Sequence, residues 1–365
     1  MEADVILVIV VATALAFDFT NGFHDTANAV ATSISTKALR PRAAVALAAA
    51  LNFVGAFISL EVAATVASDV VDPATITLTV VFAGLIGAIT WNLITWYFGL
   101  PSSSSHALLG GVVGSAFAAA GASAVLGEGV LGNVLIPAIV APLTAFAIGA
   151  VAITLTYNIV GRQRPGIARR GFRLGQIVSA SMFALAHGTN DAQKTMGVIT
   201  LALIAAGHLP EEGFDVPFWA VLSAATAIGL GTYSGGWRII KTMGTRVHKM
   251  DPAQGFTAEG AGSAVILASS HFGFPLSTTH VIAGAIMGSG AGKRLSAVRW
   301  GVAGNIVAAW LLTLPAAAAV GAATYGFTRL FGTGVVGPLV VGLIAIFLVT
   351  AALVRRARAG APVPA

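Results

Sequence analysis

Residues 17–32 read FDFTNGFHDTANAVAT. They continue an apolar run that starts near Val5, and they put two aspartates, two asparagines and a histidine at membrane depth. In a soluble helix such residues form an ordinary wet face. Inside a bilayer they are costly and point to function. Composition decides between the two. The chain has 365 residues, 56% of them hydrophobic and 9% charged, whereas a soluble domain carries about 25% charged residues. Apolar runs of roughly 20 residues recur between short polar loops, which predicts an all-α polytopic membrane protein. The first run passes directly into NGFHDTANA and shows no signal-cleavage pattern. Cysteine is absent, so disulfides, thiolate metal sites and cysteine nucleophiles are excluded.

The apolar segments are read as about 4–35, 43–68, 76–97, 106–125, 133–160, 174–205, 217–237, 258–271, 279–291, 297–326 and 334–354. The net charge of +6 sits in the short loops between them, so it reads as topological bias and not as a nucleic-acid surface. Place the N-terminus outside. Lys37/Arg40/Arg42, the Arg162–Arg173 cluster, Arg238/Lys241/Arg246/Lys249, Lys293/Arg294/Arg299 and Arg355/Arg356/Arg358 then all face the cytoplasm. Asp69/Asp72, Glu128 and Glu211/Glu212/Asp215 face outward. This predicts a multi-pass protein of the cell membrane with a cytoplasmic C-terminus. Segments 258–271 and 279–291 have only 14 and 13 residues, too few to cross, so a re-entrant hairpin with its tip at GFPLSTTH is expected.

The chain also repeats itself. FGLPSSSSHALLGGVVGS (98–115) matches FGFPLSTTHVIAGAIMGS (272–289) at eight of 18 positions, with an offset of 174. A weaker echo aligns Gly22 and Asp25 with Gly188 and Asp191 of AHGTNDAQKTMG, with an offset of 166. The expected organisation is a first repeat over 1–160, a basic cytoplasmic loop at 161–173, a second repeat over 174–326, and a C-terminal span with a basic tail over 327–365. The first copy begins outside and the second in the cytoplasm. The prediction is therefore two inverted-topology repeats with interrupted helices and re-entrant hairpins, about 10–12 membrane segments in all, facing one central site.

Of the ionisable residues at membrane depth, Asp25 and Asp191 stand out because the repeat duplicates them. The plainer alternative is a hydrogen-bond network between helices, and it applies more strongly to Asp18. Glu61 and Glu259 are read as snorkelling to an interface. PSSSSH and PLSTTH each place a proline and hydroxyl residues before an apolar helix, an N-terminus signature that suits an oxyanion. Gly110, Gly114, Gly284 and Gly288 have the spacing of close helix contacts. His106 and His280 are expected to bond the tip backbone. Lys194 could pair with Asp191 or touch the anion. An anion beside two carboxylates needs a cation with it, which is a physical basis for symport. A hydrolytic pair such as Ser105 with His106 is disfavoured, because the hydroxyl tips are mirrored and a nucleophile is needed once.

GFHDTANAVAT, HGTNDAQKTMG, GLPSSSSH and GFPLSTTH together resemble the paired signatures of the inorganic phosphate transporter (PiT) family, over about residues 5–325. The resemblance implies uptake of inorganic phosphate coupled to Na⁺ or H⁺, with no other cofactor, through an inverted-repeat fold that is commonly a homodimer in the lipid bilayer. It implies a cation site at Asp25 and Asp191 with Asn21 and Asn190, and a phosphate site at Asn28, Gln193, Ser103, Ser104, Ser105, Ser277, Thr278 and Thr279. A sulfate permease of the same architecture is the alternative. Two departures are visible. Only a short loop joins the halves, and Lys194 stands where the repeat would place a second Asn28.

Overall fold

The computed structural model describes residues 2–160, 163–210, 215–332 and 334–358. Among the described residues the chain is helical, and the one extended pairing is an isolated bridge between Val71 and Val125. The first half runs from α1 (Glu2–Ser35) to a broken pair, α2 (Pro41–Gly55) and α3 (Glu61–Ser68), and then to α4 (Leu78–Phe98) and α5 (Ser104–Ala120), joined at a tight tip. A short α6 (Gly127–Gly129) passes through a π-helical stretch, Val130–Leu135, into α7 (Ile136–Val160). The second half has the same order: α8 (Pro165–Ala205), a broken pair α9 (Phe218–Ser234) and α10 (Trp237–Lys241), tip-joined α11 (Pro252–His271) and α12 (Thr278–Lys293), and the long α13 (Trp300–Arg329). Helix α14 (Val336–Arg358) follows.

The two tips are built alike, for the same local reasons. Gly99 and Gly273 take φ of +67° and +77°, a region open to glycine and strained for other residues. Pro101 and Pro275 follow and cannot continue a helix. Ser103 and Ser277 then cap α5 and α12, accepting from the His106 and His280 amides at 3.0 and 3.2 Å.

The closing helices are exchanged between halves. Helix α13 packs on α4 and α5, while α7 packs on α11 and α12. Glycine permits both crossings. A Cβ at Gly110 would lie 3.1 Å from Leu314 Cα, and one at Gly284 would lie 3.1 Å from Pro142 Cα. The close contacts read from the small-residue spacing are therefore present, and each one joins the two halves.

Two apolar cores flank a polar belt. One gathers the start of α1 with α3, α4, α5, α9 and the end of α8. The other gathers the end of α1 with α2, α11, α12 and the middle of α8. Outside, Ile139, Leu143 and Leu155 on α7 and Leu311 on α13 are exposed apolar residues. Glu2–Ser35, Leu78–Phe98, Gly127–Val160 and Trp300–Arg329 are long and apolar enough to cross a membrane.

Several sequence expectations shift. Segment 43–68 is broken between Gly55 and Glu61, and 217–237 between Ser234 and Trp237. Segment 258–271 lengthens to a helix of 20 residues, because Asp251 and Gln254 form a capping box that starts α11 early, and segment 279–291 becomes a helix of 16 residues capped by Ser277. The pair read as spans 76–97 and 106–125 has the same helix–tip–helix form, with 21 and 17 residues. The 161–173 segment is not a loop throughout, since α8 already begins at Pro165 and carries Arg169, Arg170 and Arg173. Its charges lie on the first turns of a helix and do not mark a break in it. Arg162, Glu211, Glu212 and residues 359–365 lie outside the described residues.

Candidate functional site

Helices α1 and α8 pack against each other and carry the two polar stretches. On α1 the residues Asp18, Asn21, Asp25, Asn28 and Thr32 recur at steps of three and four, so they share one face, and all are buried. On α8, His187, Asn190, Asp191, Gln193, Lys194 and Thr195 are buried as well. Oxygen or nitrogen ligand atoms of Asp25, His187 and Asp191 lie within 4.8 Å of one another. The two carboxylates predicted to pair across a centre do meet there.

Both tips close onto these carboxylates. Asp25 Oδ1 accepts from Ser104 at 3.2 Å and Thr279 at 3.4 Å, and lies 2.6 Å from His24 Nδ1. His24 in turn meets Thr95 at 3.0 Å and Ser102 at 3.3 Å. Asp191 Oδ2 accepts from Thr278 at 3.2 Å and lies 3.1 Å from His187 Nε2. Asn28 donates to Thr279 at 2.9 Å and to Thr278 at 3.3 Å.

Lys194 resolves its ambiguity by geometry. Its ammonium reaches Asp191 Oδ1 and Ser105 Oγ, both at 2.5 Å, and the Leu276 carbonyl at 2.6 Å. Three donors meet three acceptors, one of them on each tip. The lysine thus neutralises Asp191 and ties the tips together. In the first half Asn28 holds the corresponding place without a charge.

Not every expected residue faces the centre. Gln193 Oε1 accepts from the Val62 and Ala63 amides at 2.8 and 3.2 Å, so it caps α3 and does not join the tip hydroxyls. The oxygens of Ser103 and Ser277 serve as helix caps, leaving only their protons for a ligand. Asn190 holds tip two, donating to Ser270 at 2.9 Å and the Phe274 carbonyl at 3.2 Å. His106 and His280 meet edge to face at 4.7 Å, and His280 approaches the Ala138 carbonyl of α7 at 3.5 Å instead of the tip backbone. Glu61 is exposed at the start of α3. Glu259 does not snorkel: it is fully buried and accepts from Thr32 and, at 2.6 Å, from Ser179. Sequence reasoning missed that role, although Thr32 lies on the same helical stripe as Asp25.

The model of the phosphate transporter family matches residues 21–169 and 162–321. The chain belongs to the phosphate transporter family. It is 53% identical over 97% of its length to a probable low-affinity inorganic phosphate transporter of Mycobacterium tuberculosis, covering 84% of that protein. The corresponding Rhizobium meliloti protein is 49% identical over 88% of the chain and 96% of its own length. A solved structure, described as the sodium-dependent phosphate transporter, superposes with a TM-score of 0.78 at 25% identity, over 89% of this chain and 99% of that one. The chain is accordingly a multi-pass membrane phosphate transporter and not an enzyme. The sulfate alternative has no support among these relatives, which are named for phosphate.

Proposed function

We propose that this phosphate transporter imports inorganic phosphate by symport with Na⁺ or H⁺, holding the anion between the two tips at the centre of the bilayer. The observation that carries this reading is a shared set of donors. Ser104, Thr278 and Thr279 give their hydroxyl protons to Asp25 and Asp191. A phosphate arriving at the α5 and α12 N-termini takes up the same protons and the first-turn N–H groups, which have no intrahelical acceptor. The carboxylates then lose these hydroxyl donors at the moment a second anion comes near. In a low-dielectric site that arrangement requires a cation. Lys194 already neutralises Asp191, so the mobile cation is drawn chiefly to Asp25, with His187 and Asp191 beside it.

The matching element order, the repeated tips and the exchanged α7 and α13 support an inverted-repeat architecture, with re-entrant tips entering from opposite faces. Its halves are residues 1–160 and 174–326. The N-terminus lies outside, the C-terminus lies in the cytoplasm, and the working unit is a homodimer. The test is phosphate uptake into proteoliposomes under separately imposed Na⁺ and proton gradients. Uptake above the equilibrium level with one of them is expected. Phosphate entry that never exceeds equilibrium under either gradient would replace the symporter with a passive pathway.

A further inference from the structure

Two turns before Asp25 on α1 stands Asp18, which is 0% exposed. Steps of three and seven residues put Asn21 and Asp25 on its face of the helix, with Asp25 about 10 Å further along. From α8, Thr195 faces the Asp18 carboxyl, as Asn21 does from its own helix. Neither closes a well-formed hydrogen bond onto it. Both Asp18 oxygens, Asn21 Oδ1 and Thr195 Oγ1 are buried without a partner. Asp191 and Lys194 are both near enough to act on Asp18 through space, but the three Lys194 donors go to Asp191, Ser105 and Leu276.

A bare carboxylate and two further orphan oxygens in one buried place form a costly arrangement. A proton on Asp18 would satisfy one of these groups. A small metal cation would give the carboxylate a charge partner and the neighbouring oxygens a ligand to share. The donors are hard oxygens with no nitrogen or sulfur, which suits an alkali or alkaline-earth ion over a transition metal. Asp18 supplies a single negative charge, which balances a monovalent ion and leaves a divalent one with an uncompensated positive charge.

We propose that Asp18, Asn21 and Thr195 form a Na⁺ site separate from the Asp25–His187–Asp191 centre. The site rests on the reading of the chain as cation-coupled and gives that coupling a second place. It lies on the polar stripe that leads from the N-terminal half of α1 to Asp25. It also belongs to one half only, because the repeat offset of 166 puts Ala184 opposite Asp18. A cation held there offsets the negative charge next to Asp191 and Asp25 before phosphate arrives.

The test reads Na⁺ binding without phosphate or transport, so its outcome is independent of whether uptake is observed. The full chain, purified in detergent, is melted in NaCl and in KCl at equal ionic strength. Asp25→Asn serves as the background, to remove the central cation site. That variant is expected to melt several degrees higher in Na⁺ than in K⁺, because a ligand that binds only the folded state stabilises it. Adding Asp18→Asn, which keeps the side-chain volume, should abolish the difference. Adding Thr195→Val should instead raise the Na⁺ concentration at half-effect about tenfold. A Na⁺ shift that survives Asp18→Asn overturns the site. So does a folded Asp25→Asn protein that Na⁺ leaves unchanged, or one that is stabilised by lower pH and not by Na⁺.

Discussion

Asp191 and Lys194 form a buried ion pair whose members depend on each other. Removing one partner of such a pair costs about 3–5 kcal/mol, because the other charge is left uncompensated. Asp191→Asn and Lys194→Met are each expected to lower unfolding stability by that order, and the double variant should recover much of it. Denaturant unfolding of the three purified proteins checks this, and a double variant no more stable than either single would dissolve the pair. Asp25 differs, since its partners are His24 and hydroxyls. Asp25→Asn should leave the fold intact and abolish coupled uptake, and wild-type rates in that variant would remove its carboxylate from the cation site. Ser104→Ala and Thr278→Ala should weaken apparent phosphate affinity roughly ten- to hundredfold, since a hydrogen bond to a charged group is worth about 1.5–3 kcal/mol. An unchanged half-saturation concentration in both would move the anion elsewhere. At this scale the sequence pointed to the buried polar residues of α1 and α8, but not to what each one touches. Asp25, Asp191 and the tip hydroxyls were legible because the repeat doubles them. Gln193 misled, because its neighbour is the end of a broken helix that hydropathy cannot locate. Glu259 misled because an isolated carboxylate near an apolar run looks the same whether it snorkels outward or meets Thr32 and Ser179 inside.

The tips and crossings are where the elements acquire their shape. A Cβ on Gly114 would lie 2.5 Å from Ala318 Cα, and one on Gly288 would lie 2.8 Å from Phe146 C. Backbone cannot yield there as a flexible side chain can. Gly114→Ala and Gly288→Ala should each cost about 1–3 kcal/mol through overpacking, whereas Gly304→Ala, with nothing within 4 Å of its Cβ, should cost none. Melting curves of the three variants compare them directly, and equal melting temperatures would mean that α13 and α7 are free to move away. The glycine spacing announced these contacts without naming the partner helices. The exchange of α7 and α13 between halves is a long-range fact with no local signature. Helix ends were misread for a related reason. Hydropathy ends a segment where polarity begins, yet α8 carries three arginines in its first turns and α11 takes Gln254, Thr257 and Glu259 into buried positions.

For the whole molecule, the question is how one central site reaches both sides. Ser102 and Leu276 occupy corresponding places on the two tips and are 0% and 3% exposed. Ser102 bonds Thr95 at 2.8 Å, and the Leu276 carbonyl receives both Lys194 and Ser105. Both positions are buried, so the proposed transport cycle would need each tip to open in turn. If the two matching tips enter from opposite faces, as proposed above, that alternation follows from the duplication itself. Opening the second tip would take Leu276 away from the Lys194 ammonium, so loss of that contact is expected in one phase of the cycle only. Single cysteines at Ser102 and Leu276, in a chain that has none of its own, report the two phases separately. With phosphate and the coupling ion present, a membrane-impermeant thiol reagent should react faster at one position and slower at the other. It should reach the two from opposite faces of oriented vesicles. Labelling that is identical at both positions, with and without ligand and from either face, would leave the tips rigid and place the route through the membrane elsewhere.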